Sequence, residues 1–154
     1  MFQSIRAFIE LRKNATFLRA IMKILFRSRV MFTHVMIGSN DLERARAFYD
    51  AIFAALGGVL GEMDSRGRLI YRHNGGRLMI TTPINGEPAT AANGGTIGIA
   101  AASPSHVVAW HDAGIAHGGT SIESPPIERP NGAFVAYLRD PDGNKLTART
   151  QATT

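Results

Sequence analysis

From residue 32 onward, hydrophobic and polar positions run in short alternating stretches broken by one helical stretch, and then the whole pattern comes round again. "FTHVMIG" alternates as a strand does, sending successive side chains to opposite faces. "SNDLERARAFYDAIFAALGG" switches to a helical period. Leu42, Ala45, Phe48/Tyr49, Ile52 and Leu56 make one buried stripe, Ser39 or Asn40 is placed to cap the helix, and Gly57-Gly58 ends it. Three short strand candidates, "VLGEM", "RLIYRH" and "RLMITT", complete a strand, helix, strand, strand, strand unit.

The second half repeats that order. "GTIGIAAAS" precedes a helix capped by Ser103 or Ser105 and running through "HVVAWHDAG", and then come "GTSIES", "AFVAYLR" and "NKLTART". Local strings agree as well: "AFYDA" faces "AWHDA", and the hairpin "YRHNGGRLM" faces "YLRDPDGNKLT". The Asp140-Pro141-Asp142-Gly143 corner therefore takes the place in unit two that His73-Asn74-Gly75-Gly76 takes in unit one. Pro141 and Gly143 suit a turn, and Asp140 and Asp142 are expected to bond their own backbone there. "TPINGEPATAANGG" between the units has a linker's composition. Two copies point to a duplicated fold, since a solenoid needs more. The expected class is α+β: two βαβββ modules, over about 32–85 and about 94–150. Each has a four-stranded sheet with one helix on its outer face, and the two sheets side by side curl into a cup.

Composition sharpens this picture in two places. The chain has no cysteine, which removes disulfides, thiolate nucleophiles and thiolate metal ligands and suits a reducing cytoplasm. The net charge of +5 suggests nucleic acid until it is divided: residues 1–30 hold seven basic side chains against Glu10, and residues 31–154 hold ten basic against eleven acidic. The body, at −1, offers no evident basic groove for a phosphate backbone, so nucleic acid is not an expected partner. Residues 1–30 are expected to form a basic amphipathic helical extension, with Phe2, Ile5, Ile9, Leu18, Ile21 and Leu25 on one face and Arg19, Lys23 and Arg27 on another. Charges interrupt it too often for a bilayer span. Three readings stay open: an appended helix with the domain proper, 31–154, starting at Met31; a helix lying on an anionic membrane surface or a partner; and a targeting segment.

Over about residues 32–150, "FTHVMIGSNDLERARAFYDAIFAALG", "NGGTIGIAA" and "YLRDPDGNKLTA" resemble the vicinal oxygen chelate superfamily of glyoxalases, bleomycin resistance proteins and extradiol dioxygenases. The resemblance implies a divalent metal (Zn, Ni, Fe or Mn) in the cup, held by the first and last strand of each module through His, carboxylate, His and carboxylate in turn. Carried over position by position, His34 fits the first. Met79, Thr96 and Thr147 stand at the other three, so one ligand of four remains and none is a carboxylate. A bound metal and glyoxalase turnover are accordingly not expected, and Thr96 and Thr147 are expected to face each other as a neutral pocket floor.

The expected substrate-binding residues are His34, Thr96, Tyr137, Arg139 and Thr147, with His34 as the candidate metal ligand. Tyr137 and Arg139 share one strand face, where Arg139 either grips a substrate carboxylate or lies as a lid over its hairpin. Phe48 and Trp110 are expected in the core, His73 in solvent, and His106, His111 and His117 on the surface of helix two. No nucleophile elbow or phosphate loop occurs. Three functions follow. One is a metal-independent small-molecule binder akin to resistance proteins. The second is a metal-dependent lyase, isomerase or dioxygenase, with His34, His73 and Glu62 as its polar neighbours. The third is an adaptor working through the N-terminal helix. The resemblance also implies a homodimer, expected in the cytoplasm.

Overall fold

The computed structural model describes residues 31–152, so the helix expected over residues 1–30 lies outside the described part. Strand β1 (Val35–Gly38) leads into helix α1 (Leu42–Ala55), then β2 (Glu62–Met63), β3 (Leu69–His73) and β4 (Gly76–Thr81). The order recurs as β5 (Ile97–Ala100), α2 (Pro104–Ala116), β6 (Thr120–Ser121), β7 (Ile127–Glu128), β8 (Phe134–Arg139) and β9 (Lys145–Arg149), in which β7 is the unexpected addition. The class is α+β, with two βαβββ modules whose curved sheets stay unclosed. No helix among the described residues is long and apolar enough to cross a membrane.

Both helices start on side-chain caps. Ser103 caps α2 by accepting from the His106 amide at 3.3 Å, with Pro104 pre-set in the first turn. At α1 the cap is Asp41, which accepts from the Arg44 amide at 3.0 Å, and not Ser39 or Asn40. The reason is that the Ser39 hydroxyl is committed elsewhere, donating to Asp142 Oδ2 at 2.6 Å. Helix α1 ends where Gly57 takes a φ of 74° and the Gly58 amide returns to the Phe53 carbonyl at 2.8 Å.

The sheets have matching registers. In module one, order β1-β4-β3-β2, Met79 lies between Met36 and Ile70. In module two, order β5-β9-β8-β6, Thr147 lies between Gly98 and Tyr137. Strand alternation sends Val35, Ile37, Leu69, Tyr71, Leu78 and Ile80 of one sheet, and Ile99, Ala136, Leu138, Leu146 and Ala148 of the other, to the helices. All of these join one core with Phe48 and Trp110, both fully buried. Each such Leu, Ile or Phe contributes about 1.5–3 kcal/mol when wholly removed from water. The remaining side of each sheet, its far face, is turned from this shared core.

The modules are joined by helix packing and by two hairpins that cross over. From the β8–β9 hairpin, Asp140 accepts from the Tyr49 hydroxyl at 2.6 Å, and Asn144 Nδ2 donates to the Gly38 carbonyl at 3.3 Å. Asp142, besides Ser39, accepts from the Asn40 amide at 3.0 Å and Arg44 Nη2 at 3.1 Å. The β3–β4 hairpin reaches the equivalent junction of module two, where His73 Nε2 donates to the Ala100 carbonyl at 2.8 Å. His73, expected in solvent, is thus half-buried against Phe53, because its hairpin is a crossing and not a free tip. Asp140 meets the expectation of a self-bonded turn, its Oδ1 accepting from the amides of Asp142 and Asn144 at 3.0 and 2.7 Å, whereas Asp142 does not, because both its carboxylate oxygens are taken by Ser39, Asn40 and Arg44. Asp140 Oδ2 and both oxygens of Asp142 hold the other module.

Candidate functional site on the far faces

Alternation puts all five candidate binding residues on the far-face side of their strands. His34 falls one residue before β1, exposed, with Nδ1 3.1 Å from Thr33 Oγ1. Thr96 falls one residue before β5 and is also exposed, so it does not lie opposite Thr147 as expected. The residue opposite is Gly98, where an added Cβ would touch only Thr147 Cγ2, at 3.8 Å. The cause is the parallel register: in each module the two superfamily ligand positions are offset by two residues, as Met36, not His34, lies opposite Met79. The floor is therefore the buried Thr147 beside bare backbone.

Tyr137 is half-buried in the same row, with Lys145 Nζ 5.1 Å and Arg129 Cζ 5.8 Å from its ring centroid. Cations at such distances are drawn to the electron-rich face of a phenol. Lys145 also pairs with Glu123. Arg139 donates through Nη1 to the Gly143 carbonyl at 2.6 Å, which is the lid arrangement over its own hairpin. Of the helix histidines, His106 and His117 bond locally, to Ser103 Oγ and the Ala113 carbonyl. His111, expected on the surface, is only 6% exposed and bonds Ser121 Oγ at 2.8 Å, because α2 turns that side toward β6.

Charge divides between the two sides of the sheets. Arg72, Arg77, Arg129, Arg139, Lys145 and Arg149 stand on the far faces, six of the ten basic residues in 31–154, against Glu62 and Glu123 among eleven acids. A body that is slightly acidic as a whole thus has two basic faces. Regional sums along the chain hide this, because strand alternation interleaves the two sides.

On the helix side the ionisable groups are held by structure. Burial, and then the neighbouring Asp140, pushes the Tyr49 phenol well above its ordinary value. Burial alone would raise the Asp142 carboxyl, but hydrogen bonds from Ser39 and Asn40 and the Arg44 charge outweigh it and hold the group low. Away from the helices, in the β2–β3 turn, Asp64 is clasped by the Arg68 side chain at 2.8 and 2.5 Å and lowered to about 2.

A divalent metal does not fit the superfamily positions. His34, Met79, Thr96 and Thr147 supply one imidazole, one thioether and two neutral hydroxyls, none able to offset a dication's charge. Among the described residues no three His, Asp or Glu side chains gather into an alternative set.

The fold and this two-faced arrangement define a duplicated βαβββ protein, and comparison with known families places it further. The profile of the Glyoxalase/Bleomycin resistance protein/Dioxygenase superfamily matches residues 31–147, and the chain belongs to that superfamily. It is similar to a glyoxalase/bleomycin resistance protein from Albidiferax ferrireducens T118, with 52% identity and a TM-score of 0.75 over 79% of this chain and 99% of that one. Two further structures share the fold. The lactoylglutathione lyase of Agrobacterium tumefaciens has 22% identity and a TM-score of 0.57 over 80% of this chain and 95% of its own. The fosfomycin resistance protein FosX of Listeria monocytogenes has 15% identity and a TM-score of 0.59, over 81% and 94%. No curated protein matches the chain.

Proposed function

We propose that the chain is a metal-independent small-molecule-binding protein of its superfamily, working as a cytoplasmic homodimer with its ligand held against the far faces. The observation that carries the reading is the row Gly98-Thr147-Tyr137: bare backbone, a buried neutral hydroxyl and an aromatic ring flanked by cations. Such a surface can stack, hydrogen-bond and attract negative charge, but it cannot activate water on a metal. The likeness to a glyoxalase/bleomycin resistance protein at 52% identity supports a ligand-binding role for the same fold. The homodimer is supported by topology. No strand of one sheet pairs with the other, β1 and β5 both end their sheets, and a second copy could bring a module-one far face against a module-two far face.

Native mass spectrometry of the purified protein tests all of this at once. The expected result is a dimer without stoichiometric metal, together with a small molecule retained by the wild type and lost in Thr147→Tyr, which fills the floor beside Gly98. About one Zn, Ni, Fe or Mn per subunit, lost in His34→Ala, overturns the metal-independent reading in favour of a lyase or dioxygenase.

A further inference from the structure

Both modules place two basic residues directly opposite each other at the hairpin end of the far face: Arg72 and Arg77 in module one, Arg139 and Lys145 in module two. Like charges facing across a strand pair repel, so each pair needs a compensating group. In module two both cations have one. Lys145 is paired with Glu123 and lies by the Tyr137 ring, and Arg139 is bonded to the Gly143 carbonyl. In module one only Arg72 is engaged, through Glu62 at 2.8 Å, and both side chains of that pair are at least half exposed, where water screens the attraction. Arg77 has no acidic partner among the described residues. Beside it lies a cavity of about 260 Å³ lined by Thr33, Arg72, His73, the Asn74–Gly76 turn and Arg77, with no carboxylate in its wall.

We infer that this cavity is the seat of a small oxyanion, the phosphoryl or carboxylate headgroup of the molecule the protein binds, gripped by Arg77 with Arg72 beside it. Arginine's planar fork suits such a group, and the turn bends sharply at Asn74 and Gly75, whose φ values are 47° and 80°, with Gly75 and Gly76 lining the cavity by backbone alone. The inference rests on the reading of the far faces as a small-molecule surface, and it narrows that molecule to an anion. It also accounts for an arginine that has no ion pair among the described residues.

The test is titration of the full chain with inorganic phosphate, and separately with acetate, at constant ionic strength, following the amide resonances of Gly75, Gly76 and Arg77. Saturable shifts are expected in the wild type. R77Q should weaken the anion by about tenfold or more, the loss of one charged hydrogen bond, and R66Q, at an exposed arginine of the β2–β3 turn, should leave it unchanged. Tighter phosphate than acetate identifies a phosphoryl headgroup, and the reverse a carboxylate. Absence of saturation, equal shifts with sodium chloride, or equal weakening by R77Q and R66Q would each overturn the inference, the last by marking general electrostatic attraction. Its failure is separable from that of the broader reading. A small molecule bound by R77Q at wild-type strength upholds the far-face site and sinks the anion seat, whereas phosphate binding lost in R77Q supports the seat whether or not a larger ligand is found.

Discussion

Asp142 shows how much one side chain can hold. Its side chain is 2% exposed and accepts from Ser39, Asn40 and Arg44, residues about a hundred positions away in the chain. Replacing it with Ala leaves the buried Ser39 hydroxyl, and the more exposed Asn40 and Arg44, without this acceptor, so D142A should lower stability by about 1–3 kcal/mol in urea unfolding; a change near zero would show that the crossing hairpin is not a clasp. The same group sets a pH dependence. A carboxylate held below its unfolded value stabilises the fold fully above that value and progressively less as pH falls through the folded one. Asp142 is lowered from 3.8, and Asp64 from 3.8 to about 2, so stability should fall as pH drops from 3.8 toward 2. D142N should flatten that acid limb, and thermal melts across this range check it. The sequence made only the neighbouring Asp140 legible, since an Asp-Pro-Asp-Gly corner predicts backbone bonds of its own and Asp140 makes them. The distant partners were not legible, because nothing in the spacing of Ser39 or Tyr49 says which distant carboxylate each will meet.

At the level of elements, the hydrophobic pattern was sufficient wherever one face is buried. The stripe of α1, the strand alternation and the aromatic anchors Phe48 and Trp110 all follow from it. It overextended β2 and β6, each only two residues long, because both are sheet edges whose exposed side chains carry no burial signal. Gly114 marks a contact that the pattern could not supply. It lies on the buried side of α2, where an added Cβ would come within 2.2 Å of Leu138 Cδ1 and 3.4 Å of Ile52 and Phe48. In an open helix Gly→Ala gains about 1 kcal/mol, but overpacking a core costs about 1–3 kcal/mol. The clash should win, so G114A should lower the denaturation midpoint; a raised midpoint would mean that α2 can move off β8.

For the molecule as a whole, duplication was the most legible feature, because two matched units announce themselves through repeated order and repeated strings. The candidate site was legible only in part. Its residues reach the expected faces, but the row opposite Thr147 is set by the parallel register, which no local string encodes, and the basic faces are hidden by alternation. Among the described residues, neither module has a wall across from its far face. The helix sides of both sheets are used up by one core, while β1 and β5 have no further strand beside them among the described residues. A ligand held by one face alone would stay half in water, so a second copy is the economical way to enclose it. Sedimentation at micromolar concentration should therefore report two subunits for the full chain and also for a variant lacking residues 1–30, since these edge strands lie within residues 31–154. A monomer in both cases would remove the dimer. A dimer only with residues 1–30 present would move the interface to the N-terminal segment, and flotation of the two chains on anionic vesicles would then show whether that segment also binds a membrane surface.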